Sequence, residues 1–139
     1  MAITTGMCTS FKEEILKAIH DFTSDTFKIA LYTNSASLGA STTAYTTSNE
    51  TSGTGYSAGG ATLTTVSPTT SGGVAYVDFN DVSFTSSTIT ARGALIYNSS
   101  KANRAVAVYD FGADQSSSNS TFTIQFPAAL SSSAILRIE

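Results

Sequence analysis

Apolar residues recur along this chain at two different periods. Between positions 10 and 22 the period is helical: Phe11, Ile15, Ala18, Ile19 and Phe22 share one face, with Lys12, Glu13, Lys17 and Asp21 opposite. Ser10 and Glu13 stand at capping-box spacing, so a helix is expected over about residues 10–22, ended by Thr23-Ser-Asp25. Such a stripe packs on a sheet; the mixed charge signs of its polar face disfavour a membrane-surface helix. From Thr26 onward the period is two. Phe27, Ile29 and Leu31 alternate along a first strand at 26–33. Further strands are expected at 62–66, 74–79, 82–85, 88–97, 104–111, 121–126 and 134–138. Gly72-Gly73 suits a hairpin turn into 74–79, and Asn98–Asn103 turns 88–97 back into 104–111.

Between the first two strands lies a long polar segment, residues 34–60, with Leu38 and Tyr45 as its apolar anchors. It ends in a glycine cluster: Gly53, Gly55, Gly59 and Gly60. A phosphate-binding loop needs a strand before it, a helix after it and a Gly-Lys-Ser/Thr ending. Here the preceding residues are polar, the following ones alternate like a strand, and the ending is missing. The glycines are therefore read as giving the backbone positive φ in a compact loop between strands.

The pattern predicts a mostly β protein: a single-domain β-sandwich over 1–139, with about seven or eight strands and one N-terminal α-helix. Composition refines this. Ser and Thr make up roughly a third of the chain, a share that would suit disorder were it not for 41% hydrophobic residues grouped in strand-length runs. Charge is sparse, and the seven Lys and Arg are scattered rather than striped, which argues against a nucleic-acid partner. No apolar run is long enough for a membrane-spanning helix, and no leader pattern opens the chain, so synthesis in a cytosol is expected. One cysteine, Cys8, excludes an intrachain disulfide.

Candidate chemistry is thin. His20, the single histidine, is expected at the surface or boundary of the helix, since a triad or metal site needs partners. Cys8 precedes the helix with no signature around it and reads as a small, partly buried thiol. Asp78, Asp81, Asp110 and Asp114 approach one another if their strands pair, yet turn and strand-end roles explain them without a Ca²⁺ or glycosidase site. No cofactor, no metal and no catalytic residue is expected. Arg92 lies within the most apolar strand and needs a partner or water; Asp110 and Asp78 are the candidates, against an Arg that faces solvent.

A resemblance adds to this reading. Phe11-Lys-Glu-Glu-Ile-Leu, Thr26-Phe-Lys-Ile-Ala-Leu-Tyr-Thr33, Glu50-Thr-Ser-Gly-Thr-Gly-Tyr-Ser-Ala-Gly-Gly60, Thr90-Ala-Arg-Gly-Ala-Leu-Ile-Tyr-Asn98 and Val106-Ala-Val-Tyr-Asp-Phe-Gly112 occur in this order. Together with the C-terminal Ile-Leu-Arg-Ile they resemble a family of small virion proteins of tailed bacteriophages, cyanophages included. The resemblance implies a structural role, a capsid decoration (cement) protein bound to the major capsid protein lattice, as a symmetric homo-oligomer on the virion surface. A neck, tail or baseplate component, or a receptor- or glycan-binding virion module, are the alternatives. It carries no catalytic motif. Within a capsid protein, the glycine loop is a candidate interface: Tyr45 and Tyr56 as anchors, Gly53, Gly55 and Gly59 shaping the loop around them. The competing reading folds Tyr56 back on its own sandwich edge.

Overall fold

The computed structural model describes residues 2–127, 129–130 and 132–138. The expected domain span of 1–139 includes Met1, Ala128, Ser131 and Glu139, which lie outside the described residues. Strands take 48% of the chain and helix 6%, so the fold is mostly β and sandwich-like. The elements run β1 (Gly6–Met7), α1 (Thr9–Leu16), β2 (Phe27–Tyr32), β3 (Ala61–Thr62), β4 (Thr65–Ser71), β5 (Val74–Phe79), β6 (Val82–Ser87), β7 (Thr90–Asn98), β8 (Arg104–Ser116), β9 (Ser120–Ile124) and β10 (Leu136–Ile138).

Every ladder is antiparallel. One sheet has the order β1-β8-β7-β2-β3, a second β10-β5-β4, and β6 pairs with β9 in a third. Both expected hairpins form: β4 turns into β5 through Gly72 and Gly73, which take φ 59° and 83°, and β7 turns into β8 after Asn98. The expected strand at 62–66 is instead split between β3 and β4, which runs on to Ser71 past a bulge between Val66 and Thr69. β8 continues five residues beyond the expected end at Phe111.

The core lies between the sheets. Phe27, Ile29, Leu31, Leu95, Ile96, Val106 and Val108 are fully buried, and Val77, Phe79 and Leu136 meet them from the second sheet. β2 and most of β7 are covered on both faces, so their alternation is between two apolar environments rather than apolar and wet. Aromatic stacking links the layers: Phe22 lies parallel to Phe27 at 4.3 Å, and Phe79 tilts against Phe27 at 6.1 Å.

The helix is shorter than its pattern predicts. It begins at Thr9 with Cys8 at the N-cap position, and no side chain caps it. The reason is the strand before it: the Cys8 N–H donates to Val106 O at 2.9 Å and the Thr9 N–H to Ala40 O at 2.8 Å, so the chain turns helical directly after β1. Ser10 falls inside the first turn, where its buried hydroxyl has no partner. At the other end Ala18 takes φ 59°, which stops the helix after Leu16 and breaks the expected 11–22 stripe. Ile15 and Ile19 are half-buried, and the inward positions go to Phe11, Glu14 and His20.

Candidate interaction site

Residues 34–60 do not hang free. β3 covers two residues of β2 and leaves the rest of that edge open. The long segment closes it: the Thr51 N–H donates to Leu31 O, and Glu50 bridges Tyr32. An open edge invites pairing with another chain, so this cover is protective. At its centre sits Glu50. Its Oε1 accepts from the Tyr45 hydroxyl at 2.7 Å; its Oε2 accepts from the Tyr56 hydroxyl at 2.6 Å and from the Gly59 N–H at 2.8 Å. The Tyr56 oxygen also accepts the free N–H of Leu31, and the Tyr97 hydroxyl donates to Gly59 O at 2.6 Å. Tyr45 stacks on Tyr97 at 4.7 Å, and Tyr56 tilts against Phe84. Burial and then the bond to the Glu50 carboxylate push both Tyr45 and Tyr56 above the ordinary phenol range.

The glycine cluster serves the same closure. Gly60, at φ 78°, lies so close to β2 that any Cβ would collide with the Ile29 carbonyl, and at Gly55, at φ 84°, a Cβ would stand 2.8 Å from the backbone of Ser87. Gly53 likewise presses on Thr88, while Gly59 holds Glu50 and Tyr97. All five candidate interface residues therefore have inward duties, and the hydroxyls of Tyr45 and Tyr56 are committed within the domain. Sequence reasoning passed over Glu50, although a lone carboxylate between two tyrosines, at spacings of five and six residues, was the signal.

A second polar cluster ties the helix to the β7–β8 turn. His20 is buried, not at the surface as expected: Nε2 lies 2.8 Å from Glu14 Oε1 and Nδ1 lies 3.0 Å from Asn98 Nδ2. Glu14 Oε2 accepts from Arg104 at 2.8 Å; Asn98 also donates to Asp25, which pairs with Lys101 at 2.9 Å. Burial works against the Glu14 charge, but the bonds from His20 and Arg104 outweigh it and hold the carboxyl below its usual range. Both ring nitrogens of His20 face protein groups, so the arrangement is a structural clamp. The signal for it was Glu14, a carboxylate three residues from Phe11 on the helix's apolar side.

The remaining candidates fall apart in space or are quiet. Cys8 is fully buried, and burial followed by the Glu14 charge pushes its thiol up to about 11, so it is no activated nucleophile. Arg92 Nε donates to Asp110 Oδ1 at 3.2 Å and approaches Asp114 at 3.9 Å, which selects Asp110 over Asp78 as its partner. Asp81 accepts from the Phe126 N–H across a turn. Asp78 is buried; Oδ1 accepts the Phe79 N–H, and the Ile135 backbone N–H also favours the charged carboxyl.

One surface feature was not foreseen. Between α1 and the face of the β10-β5-β4 sheet that carries Val77 and Leu136 runs a groove of about 310 Å³. Phe11, Ile15 and Phe22 form one wall, and Ala75, Val77, Leu136 and Pro68 the other. Its lips are Leu16 and Ile138, 87% and 60% exposed. Two large aliphatic side chains this exposed, facing one apolar cleft, mark a surface that prefers a partner to water. The short helix causes it: once the chain leaves the helical path at Ala18, nothing follows to cover Leu16. No family model matches the chain, and neither the curated proteins nor the solved structures give a match.

Proposed function

We propose that this protein is a structural component of a phage virion, a decoration protein that reinforces the shell by binding the major capsid protein lattice. The observation that carries the reading is the apolar groove under α1, with Leu16 and Ile138 exposed at its lips. Its occupant on this reading is an apolar segment of a capsid subunit. The sequence resemblance to small virion proteins points the same way. A shell that has reached its mature form gains stability from any protein that binds that form alone, by mass action. On a lattice with symmetry axes such a protein works as a small symmetric homo-oligomer.

Capsids stripped of the protein provide the test. Leu16→Asp with Ile138→Asp is expected to lower affinity at least about thirtyfold, the loss of roughly 2 kcal/mol typical of a desolvated anchor. The melting temperature of the free protein should hold, since both side chains are already wet. Counting copies per virion is the companion measurement: hundreds support decoration, six or twelve at one vertex place the protein in the neck or tail. Full binding by the double variant would remove the groove as the docking surface.

A further inference from the structure

The sheet β10-β5-β4 carries one apolar face that is only partly covered. Ala75 and Val77 of β5 share that face with Ile138 and Leu136, the residues they pair with on β10. Val77 and Leu136 are buried, but Ala75 is half-buried and Ile138 is exposed. The same face thus belongs to the core at one end and opens into the groove at the other, where the groove also reaches Pro68 of β4. A sheet face of this kind is completed by a second layer. The layer in place is α1, which ends after eight residues at Leu16.

We infer that the capsid segment seated in this groove is an amphipathic helix with a carboxylate beside its apolar stripe, an inference that rests on the docking reading above. Backbone chemistry selects the helix. Apart from Lys12, Tyr76 and Arg137, every residue that lines the groove is apolar, and alternation turns Tyr76 and Arg137, which pair with each other, onto the opposite face of the sheet. An extended segment laid there would bury N–H and C=O groups with nothing to pair, whereas a helix satisfies its own. The wall beside it suits the same form. Lys12 and Leu16 lie one turn apart on one ridge of α1, so a second helix can set its own ridge alongside them. Charge selects the carboxylate. Lys12 is the one charged side chain left on the groove's face; it is exposed and has no ion pair among the described residues, while Lys17 is held by Glu13 at 3.2 Å. In a chain of net charge −3 this rim is cationic. A carboxylate one turn from the anchor that meets Leu16 pairs with it.

Stripped capsids test the charge. Lys12→Glu in the full chain is expected to weaken binding at least about threefold, and Lys12→Gln to remove most of its salt dependence. Lys12 is exposed, so both variants should melt like the parent. Full, salt-indifferent binding by the Lys12 variants, with loss only in Leu16→Asp/Ile138→Asp, would overturn the carboxylate and leave the docking reading standing. Full binding by all of them would remove both. The helix is tested on the free ¹⁵N-labelled chain with four probes: an amphipathic Leu/Glu peptide, the same peptide with a central Pro-Pro, its Leu/Lys counterpart, and laurate. Saturable shifts confined to residues 7–16, 75–77 and 136–138 are expected with the Leu/Glu peptide, and binding at least about threefold weaker with each of the others. No shifts with the Leu/Glu peptide, equal binding of the proline or Leu/Lys peptide, or tighter binding of laurate, which would make the groove a site for an alkyl chain, would each overturn the inference.

Discussion

Single residues carry unusual weight where one carboxylate gathers several donors. Glu50 receives two phenol hydroxyls and a backbone N–H. Glu50→Ala strands all three and is expected to destabilise the fold by about 3 kcal/mol, against about 1 kcal/mol for Tyr45→Phe, which removes one donor; urea midpoints compare the two. Asp78 makes the opposite case. Burial, reinforced by the Asp81 charge, holds its carboxyl above the ordinary value despite the backbone bond from Phe79. The folded state therefore keeps a proton that the unfolded chain releases near pH 4, and stability falls as pH rises from there through the raised folded value. Asp78→Asn keeps the shape and removes the charge. It should flatten that slope and leave the protein at least as stable as the parent at pH 7, read from urea melts between pH 3.5 and 7. A loss of stability at pH 7 would show that the charged form has a partner. Little of this weighting was legible in sequence: Asp78 looks like any strand-end carboxylate, and the one signal of Glu50 was its place between Tyr45 and Tyr56.

At the scale of elements, the strands were legible and the helix was half so. Strand alternation depends on local burial, and positions such as Phe27–Tyr32 and Val74–Phe79 were found within a residue. Helix ends depend on what the neighbouring chain does. Ser10 and Glu13 fit a capping box, yet the β1–β8 pairing set the start two residues earlier, and the clamp around His20 pulled the chain off the helical path. The energetic consequence separates two residues of the same apolar stripe. Phe11, 4% exposed, should cost about 3–5 kcal/mol when cut to Ala, whereas Ile19, half-buried beyond the helix, should cost well under half as much. Chemical denaturation of both variants checks the order; equal losses would mean that the helix extends to Ile19 in solution.

For the whole molecule, periodicity announced a β-sandwich, while the closure of β2 by residues 34–60 and the groove under α1 were invisible. Both arise from contacts between segments far apart in sequence, and a stripe or a glycine cluster records that a surface is covered, not by what. The second sheet has three strands, with β10 at its margin. Deleting residues 134–139 removes the partner of Val77, Tyr76 and Ala75. The exposed side of β5 should then drive self-association, visible as concentration-dependent sedimentation beyond that of the full chain. A truncated protein that stays dispersed would mean that the uncovered edge of β5 does not recruit a second chain.

The pairing of Gly6 with Val108 has a consequence in time as well as space. At synthesis rates of about 5–20 residues per second, the first strand waits roughly 5–20 seconds before its partner leaves the ribosome. β2 waits about two thirds as long for β7. Throughout that interval Ile3, Phe11, Phe27 and Leu31 are emerged and unsheltered, and the nascent chain is a client for whatever holds apolar segments apart. The domain closes late, so a cell making many copies at once meets its highest risk of aggregation on the polysome rather than afterwards.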